Sequence, residues 1–165
     1  MSDRKWIATA AALVLAFACP PVASAQEQTA VPPPKDTIFA RKILMNAIDG
    51  NMDELETMLA PGGKLDSAEG REHADNISIL LMAFPHLFAP ATNQWKPKAA
   101  RDPATDTYAA PELWANFADF YQRATKASKI ALDAAHAKRA DEFRLLIAEL
   151  RQACNGCHAA YQKTD

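Results

Sequence analysis

The sequence predicts an all-α fold, an antiparallel four-helix bundle, and three observations support this prediction. Apolar residues recur at alternating steps of three and four in four separate segments, which is the spacing of one face of an α-helix. No segment alternates between apolar and polar residues with the period of two that a half-buried strand requires. Most connections between the segments are short, as in a bundle whose facing helices can build a cofactor site.

The N-terminus has the pattern of a secretory signal peptide. Residues 1–25 combine a charged start, an apolar run from Trp6 to Ala18 and a small-residue stretch that ends at Ala25. The apolar run is too short for a membrane span, and the small residues suit cleavage. We therefore expect export to the periplasm through a cleaved signal peptide, followed by a mobile leader at residues 26–35.

A lipoprotein is the alternative interpretation of this segment, with Cys19 as the acylated residue. Phe17 is bulky for the sequence before such a cysteine, so we favour cleavage after Ala25, which also removes Cys19. A mature chain of about 140 residues is long enough for one compact domain, residues 36–165. The formal charge of −2 gives no sign of a nucleic-acid partner, and nothing in the mature chain indicates a stable membrane anchor.

The first two helices are predicted from an amphipathic stripe with a capping residue at its start. Asp36 or Thr37 can cap the first helix, which ends before Pro61. Asp66 or Ser67 can cap the second helix. The stripe of the first helix contains Ile38, Arg41, Met45, Ile48, Met52, Leu55 and Leu59, and that of the second contains Ala74, Ile77, Leu80, Leu81 and Phe84.

The last two helices follow a long irregular connection. Pro85 stops or kinks the second helix, and residues 89–110 form the connection. Pro111 suits the first position of a third helix, which we expect to run to about Ala135. The fourth begins near Arg139. The third stripe is aromatic, and we expect core positions rather than an electron path for Trp114, Phe117 and Tyr121.

The segment Cys154-Asn155-Gly156-Cys157-His158 gives the fourth helix its chemistry, because C-x-x-C-H is the pattern of covalent c-type haem attachment. Spacings of three and four place both thiols and the imidazole on one helix face. Cys154 and Cys157 can then bond the haem vinyl groups while His158 binds the iron. Tyr161 follows on the same face and would pack beside the porphyrin. A disulfide or half of a zinc site are the alternatives, but no second Cys/His pair stands at ligand spacing.

The other axial position of such a haem faces the interior of the bundle. Met45 is the leading candidate for a sixth ligand because a thioether can bind haem iron. Arg41, one turn earlier on an apolar stripe, needs an anion, and a haem propionate would supply one. The alternatives are a core methionine and an arginine that reaches water. Lesser ligand candidates are Met52, Met58, His73, His86 and His136, and Trp95 either covers the haem edge or anchors the connection.

Three segments resemble the class II c-type cytochromes, which comprise cytochrome c′ and its low-spin relatives of the cytochrome c-556 type. They are Arg41-Lys42-Ile43-Leu44-Met45, Ala110-Pro111-Glu112-Leu113-Trp114, and the C-terminal stretch from Cys154 to Tyr161. The resemblance spans about residues 37–163. It implies a four-helix bundle with one haem c bound covalently through Cys154 and Cys157, and His158 as an axial ligand.

The resemblance implies two possible functions. In the c′ type the iron is five-coordinate, and an apolar distal pocket admits small gases such as nitric oxide. In the c-556 type a first-helix methionine, matching Met45, completes a His/Met pair for electron transfer. The segment from Phe84 to Phe88 and the long connection look more like the c-556 branch. We therefore expect an electron carrier for redox partner proteins rather than an enzyme, with gas binding as the alternative and a homodimer through the first two helices as a possibility.

Overall fold

The computed structural model describes residues 31–164, and the predicted signal peptide lies outside the described residues. Its helices are α1 (Pro34–Leu59), α2 (Ser67–Ala83), α3 (Glu112–Ala115), α4 (Phe117–Ala135) and α5 (Ala140–Tyr161). Three short 3₁₀ helices lie between α2 and α3, at Phe84–Leu87, Pro90–Thr92 and Lys98–Ala100. The only extended pairing within residues 31–164 is an isolated bridge between Ala109 and Gln162. The all-α prediction is confirmed.

The four long helices, α1, α2, α4 and α5, form the expected four-helix bundle. Their backbones pack closely where α1 meets α2, where α2 meets α4, and where α4 meets α5. The backbones of α1 and α5 approach each other at few points, which leaves room for a cavity between them. None of the described helices combines the length and the apolar character that crossing a membrane requires.

The starts of the first two helices follow from local chemistry. Pro34 occupies the first position of α1, because a proline fixes φ near the helical value and has no N–H to lose there. The predicted caps, Asp36 and Thr37, were wrong: both lie inside α1, whose cap position is Pro33, three residues before Asp36. The end of the predicted leader is therefore helical. The predicted cap of α2 is confirmed, since Asp66 Oδ1 accepts hydrogen bonds from the backbone N–H groups of Ala68 at 2.8 Å and Glu69 at 3.1 Å.

The predicted third helix is interrupted at Asn116. Its φ of −119° and ψ of 36° are not helical, and both its backbone N–H and its side-chain Nδ2 donate to the carbonyl oxygen of Glu112. An asparagine that bonds its own preceding turn in this way competes with the regular helical ladder. The prediction of one continuous helix was wrong for this reason, and α3 and α4 are separate elements.

The aromatic residues of this region divide between two faces of α4. Phe120 is buried, but Phe117 and Tyr121 are 37% and 42% exposed. The two exposed residues are four positions apart and so share the outward face, whereas Phe120 points into the bundle. Core positions for Phe117 and Tyr121 were wrongly predicted, and Trp114 is half-buried.

The interior consists of two clusters of apolar side chains, and Met45 packs against both. The larger cluster is mainly aliphatic and joins α1, α2, α4 and α5; it includes Ile48, Met52, Leu55, Ile77 and Leu150. The smaller cluster is mainly aromatic and lies near the connection; it contains Phe84, Phe88, Leu113, Phe120 and Tyr161. Burial of such side chains contributes about 1.5–3 kcal/mol each, so the clusters hold the helices around the cavity.

Candidate haem site

The C-x-x-C-H segment lies within α5 and faces a single cavity. Cys154, Cys157 and His158 all line that cavity, as their spacing on one helix predicted. The two cysteines are thiols rather than a disulfide. Within residues 31–164 no group of three or more His, Cys, Asp or Glu side chains is arranged to hold a metal ion, so the zinc alternative finds no further ligands there.

The cavity favours the neutral forms of all three groups. Burial raises the pKa of Cys157 to about 11 and raises that of Cys154 above its ordinary value. Burial also lowers the pKa of the His158 imidazole. Near neutral pH the two sulfur atoms therefore carry protons, and the imidazole keeps a lone pair that can bind a metal.

The cavity has a volume of about 380 Å³, within the range of about 300–1,000 Å³ that small-molecule and cofactor sites occupy. It lies between α1 and α5, with walls completed by α2, α4 and the connection. The side chains that face the motif across it are largely apolar: Ile38, Ile48, Met52, Ile77, Leu81, Phe84, Phe88 and Phe120. The cavity is thus a largely apolar chamber with three potential donor groups on one side.

Arg41 is a buried cation at the edge of this chamber. Its side chain is 4% exposed, and it donates to Thr92 Oγ1 at 3.2 Å, to the Thr92 carbonyl at 3.4 Å and to Thr107 Oγ1 at 3.2 Å. The guanidinium also lies 4.3 Å from the centre of the Phe88 ring. No described carboxylate pairs with it, and burial lowers its pKa to about 10. The site therefore holds a positive charge that lacks an anion.

Met45 and Met52 both line the cavity from α1, whereas Met58 does not. The three histidines outside the motif are also absent from its wall. His73 contacts Asn51, His86 packs against Tyr121, and the ring of His136 contacts a backbone carbonyl of its own helix. The structure therefore brings two of the sequence-predicted ligand candidates to the cavity and places the others elsewhere.

Two residues that the sequence analysis missed, Asp119 and Arg123 of α4, support the predicted site residue Tyr161. Tyr161 lines the cavity and donates its hydroxyl proton to Asp119 Oδ2 at 2.5 Å, and Arg123 Nε donates to the same oxygen at 2.6 Å. These bonds lower the pKa of Asp119 and raise that of Tyr161. The spacing of Asp119 and Arg123, one helical turn apart, is the only signal for them in the sequence.

The connection closes one end of the cavity through contacts with α1. Lys42 donates to the backbone carbonyls of Pro103 and, at 3.1 Å, Asp106. Thr107 and Tyr108 line the cavity beside it. Trp95 does not line the cavity; its buried Nε1 has no acceptor among the described residues. The connection contributes to the site, but not through the tryptophan that the sequence suggested.

This arrangement fits a haem with ionised propionates. Two thiols and a neutral imidazole on one helix face are the donor set that covalent haem attachment and axial ligation require. A buried guanidinium without a carboxylate partner would gain stability from an anionic group. The apolar walls suit a flat aromatic macrocycle.

Comparisons with known proteins agree with this fit. The model of the family described as cytochrome C′ matches residues 36–162. Cytochrome c prime from Shewanella frigidimarina is 24% identical with a TM-score of 0.68, over 81% of this chain and 98% of that chain. A cytochrome c′ with an unusual ligand-controlled dimer dissociation is 20% identical with a TM-score of 0.69, over 81% of this chain and 99% of that chain.

A third similar structure is the nitric oxide complex of a cytochrome c prime variant from Alcaligenes xylosoxidans. It is 22% identical with a TM-score of 0.62, over 79% of this chain and 96% of that chain. No significant match to a curated protein was found. The family match covers nearly all of the described chain, so the chain belongs to the cytochrome c′ family, whose members bind one covalently attached haem c.

Proposed function

We propose that this chain is an exported haem protein of the cytochrome c′ type, whose iron keeps one axial position open to small gases such as nitric oxide. Cys154 and Cys157 would hold the haem covalently, and His158 would be its protein ligand. The observation that carries the proposal is the largely apolar wall that faces the C-x-x-C-H segment across the cavity. A bound haem supplies reversible iron–gas binding and one-electron redox chemistry.

The residues around the cavity would each have a distinct role. His158 offers a neutral imidazole because burial disfavours its charged form. Arg41 would neutralise a propionate while remaining anchored to Thr92 and Thr107. The apolar side chains of α1 and α2 exclude water from the opposite face, and a weakly polar gas competes best where water is excluded. Tyr161 would pack beside the macrocycle.

A relative that is structurally similar to this chain was solved as a nitric oxide complex, and this favours the gas-binding function over electron transfer. Electron transfer remains the second candidate because Met45 lines the cavity from α1. If the Met45 sulfur completes a His158/Met45 pair, the iron has no vacant position, and the thioether favours its ferrous form. The chain would then serve redox partner proteins, as the c-556 resemblance implies.

Absorption spectra of the purified haem-loaded protein separate the two candidates. For gas binding we expect a high-spin spectrum in both oxidation states and a prompt shift of the ferrous form with carbon monoxide or nitric oxide. Met45→Leu should leave the spin state unchanged, because the substituted side chain remains apolar. Met52→Leu is the matched control, since Met52 lies seven residues further along the same face of α1 and also lines the cavity.

A low-spin spectrum that becomes high-spin in Met45→Leu, but not in Met52→Leu, would establish Met45 ligation and electron transfer instead. Absence of colour, or haem that is fully extracted by acid–acetone, would contradict the proposal for Cys154 and Cys157.

The same proposal includes export and self-association. Export rests on the signal-peptide pattern of residues 1–25 and suits covalent haem attachment. α1 exposes Phe39 and Ile43, and α2 exposes Ile79 and Met82, each at least half exposed. A similar cytochrome c′ has a dimer whose dissociation is controlled by ligand. We expect sedimentation to show a homodimer that Ile43→Lys weakens; a monomer at all concentrations would refute this.

A further inference from the structure

The hydroxyl of Tyr161 is poised for proton transfer at the edge of the cavity. It donates to Asp119 Oδ2 at 2.5 Å, and Arg123 fixes the same oxygen at 2.6 Å. A carboxylate held by a cation and a hydroxyl forms short charge-assisted hydrogen bonds. The Asp119 side chain is 50% exposed, so a proton that it accepts can pass to water.

Aromatic rings connect Tyr161 to the protein surface. The Tyr161 ring meets the Phe120 ring edge-on at 5.7 Å between centres, and Phe120 lies 5.8 Å from Phe117. Phe117 in turn lies 6.4 Å from Tyr121, which is 42% exposed. The series begins at a cavity-lining tyrosine and ends at an exposed one.

Tyr108 provides an internal contrast because it also lines the cavity. Two cations lie against its ring, Lys42 Nζ and Arg101 Cζ, each 4.9 Å from the centre. Cations at a ring face disfavour the loss of an electron from that ring. The Tyr161 ring has one cation near it, Arg123, which lies farther away at 6.0 Å. The surroundings of the two cavity tyrosines therefore favour oxidation of Tyr161 over Tyr108.

We propose that Tyr161 is a redox-active tyrosine that gives one electron to a peroxide in the haem pocket and its proton to Asp119. Tyr121, at the surface, then reduces the Tyr161 radical. The inference rests on the proposed haem binding. The oxidant is a peroxide: one hydrogen peroxide takes up two electrons and two protons and leaves as two waters, which balances the oxidation of two tyrosines to neutral radicals.

A second electron transfer, from Tyr121, returns Tyr161 to its reduced form. Tyr121 gives its electron to the Tyr161 radical and its own phenolic proton to water, while Asp119 returns a proton to Tyr161. An oxidising equivalent is thereby moved from the haem pocket to the protein surface, where an external reductant can remove it. This is a protective function against peroxide, distinct from the binding of gases.

The test mixes haem-loaded protein with hydrogen peroxide and follows organic radicals by freeze-quench electron paramagnetic resonance. The wild-type chain should give a tyrosyl signal, Tyr161→Phe should abolish it, and Tyr108→Phe should leave it unchanged. Asp119→Asn keeps the shape of the side chain but cannot accept the proton, so the radical should form at least about 100-fold more slowly. Tyr121→Phe should keep the signal and prolong it, because Tyr121 no longer reduces the Tyr161 radical.

Mass spectrometry of each variant is done first, to establish covalent haem, and circular dichroism then excludes misfolding as the cause of a lost signal. A chain that carries no haem overturns the proposed function and this inference with it. A chain with full haem but no radical overturns the inference alone. A wild-type signal in Tyr161→Phe, or equal rates in the wild-type and Asp119→Asn proteins, also contradicts it.

Discussion

Replacement of Arg41 tests whether its charge serves a haem carboxylate or only the connection. Arg41→Met keeps the length and the apolar stem of the side chain and removes the charge together with its donors. We expect the haem-loaded variant to lose about 3 kcal/mol of unfolding free energy, because removing one partner of a buried ion pair costs about 3–5 kcal/mol and the proposed pair with a haem carboxylate would lie at the edge of the cavity.

Without a haem carboxylate, two opposing contributions set the stability that Arg41 provides: the penalty of burying its charge and the gain from its hydrogen bonds. Burial lowers the pKa of Arg41 to about 10, which corresponds to roughly 3 kcal/mol against the charged form at about 1.4 kcal/mol per pKa unit. Because the folded pKa is the lower one, this penalty applies below about pH 10 and is relieved as the pH rises through that value.

The hydrogen bonds from Arg41 to Thr92 and Thr107 contribute a stabilising free energy of similar size. They are long, at 3.2–3.4 Å, and each contributes about 0.5–1 kcal/mol. The two terms nearly cancel, so an Arg41 that only anchored the connection would be replaceable by methionine at a cost below about 1 kcal/mol. A loss of about 3 kcal/mol therefore measures the missing anion.

Urea unfolding of the haem-loaded proteins, followed by circular dichroism, gives the free energies by linear extrapolation. Thr92→Val is the matched control, because it removes one partner of Arg41 on the connection and leaves the charge in place; we expect a loss of about 1 kcal/mol. If Arg41→Met costs no more than Thr92→Val, the argument for a propionate partner is refuted.

Three further predictions concern the scaffold and the covalent bonds. Gly63→Ala should lose about 1–3 kcal/mol in thermal unfolding, because an added Cβ would lie 2.4 Å from the Thr57 carbonyl oxygen; an unchanged melting temperature would show that the turn yields. Asp66→Asn should remove an acid-dependent part of stability, because backbone N–H groups lower the pKa of Asp66. That contribution is present above the unfolded pKa and lost as the pH falls through the lower folded one, so urea midpoints should converge at low pH. Cys154→Ser should keep the haem bound through Cys157, and mass spectrometry measures this as a retained haem mass. When both cysteines are replaced, acid–acetone should extract the haem.

The sequence predicted the helices well where short-range chemistry decides them. The stripe of α1 and the side-chain cap at Asp66 depend on neighbours within one or two turns, and such interactions are visible in a single sequence. The break at Asn116 depends on its side-chain Nδ2 bonding the Glu112 carbonyl oxygen, a competition with the helical ladder whose outcome the sequence alone does not reveal.

The candidate site also has a part that the sequence predicts and a part that only tertiary packing determines. The donor set of Cys154, Cys157 and His158 could be predicted because three residues at helical spacing share a face whatever the rest of the chain does. The partners of Arg41 lie 51 and 66 residues away, and Asp119 lies 42 residues from Tyr161. No local pattern encodes such pairs, because they exist only after the connection and α4 have packed against the bundle.

Whether a side chain of α1 would meet the iron of the proposed haem depends on tertiary structure. Periodicity places Met45 on the inward face of α1, but ligation depends on how far α1 stands from α5, and the two helices have few backbone contacts of their own. Their separation is set instead by α2 and by the connection, which Arg41 and Lys42 bind to α1. Loosening that attachment, as in Thr92→Val, should therefore alter the response of the iron to carbon monoxide without any change in the ligands themselves. An unaltered rate of carbon monoxide binding would show that α2 alone holds α1 in place.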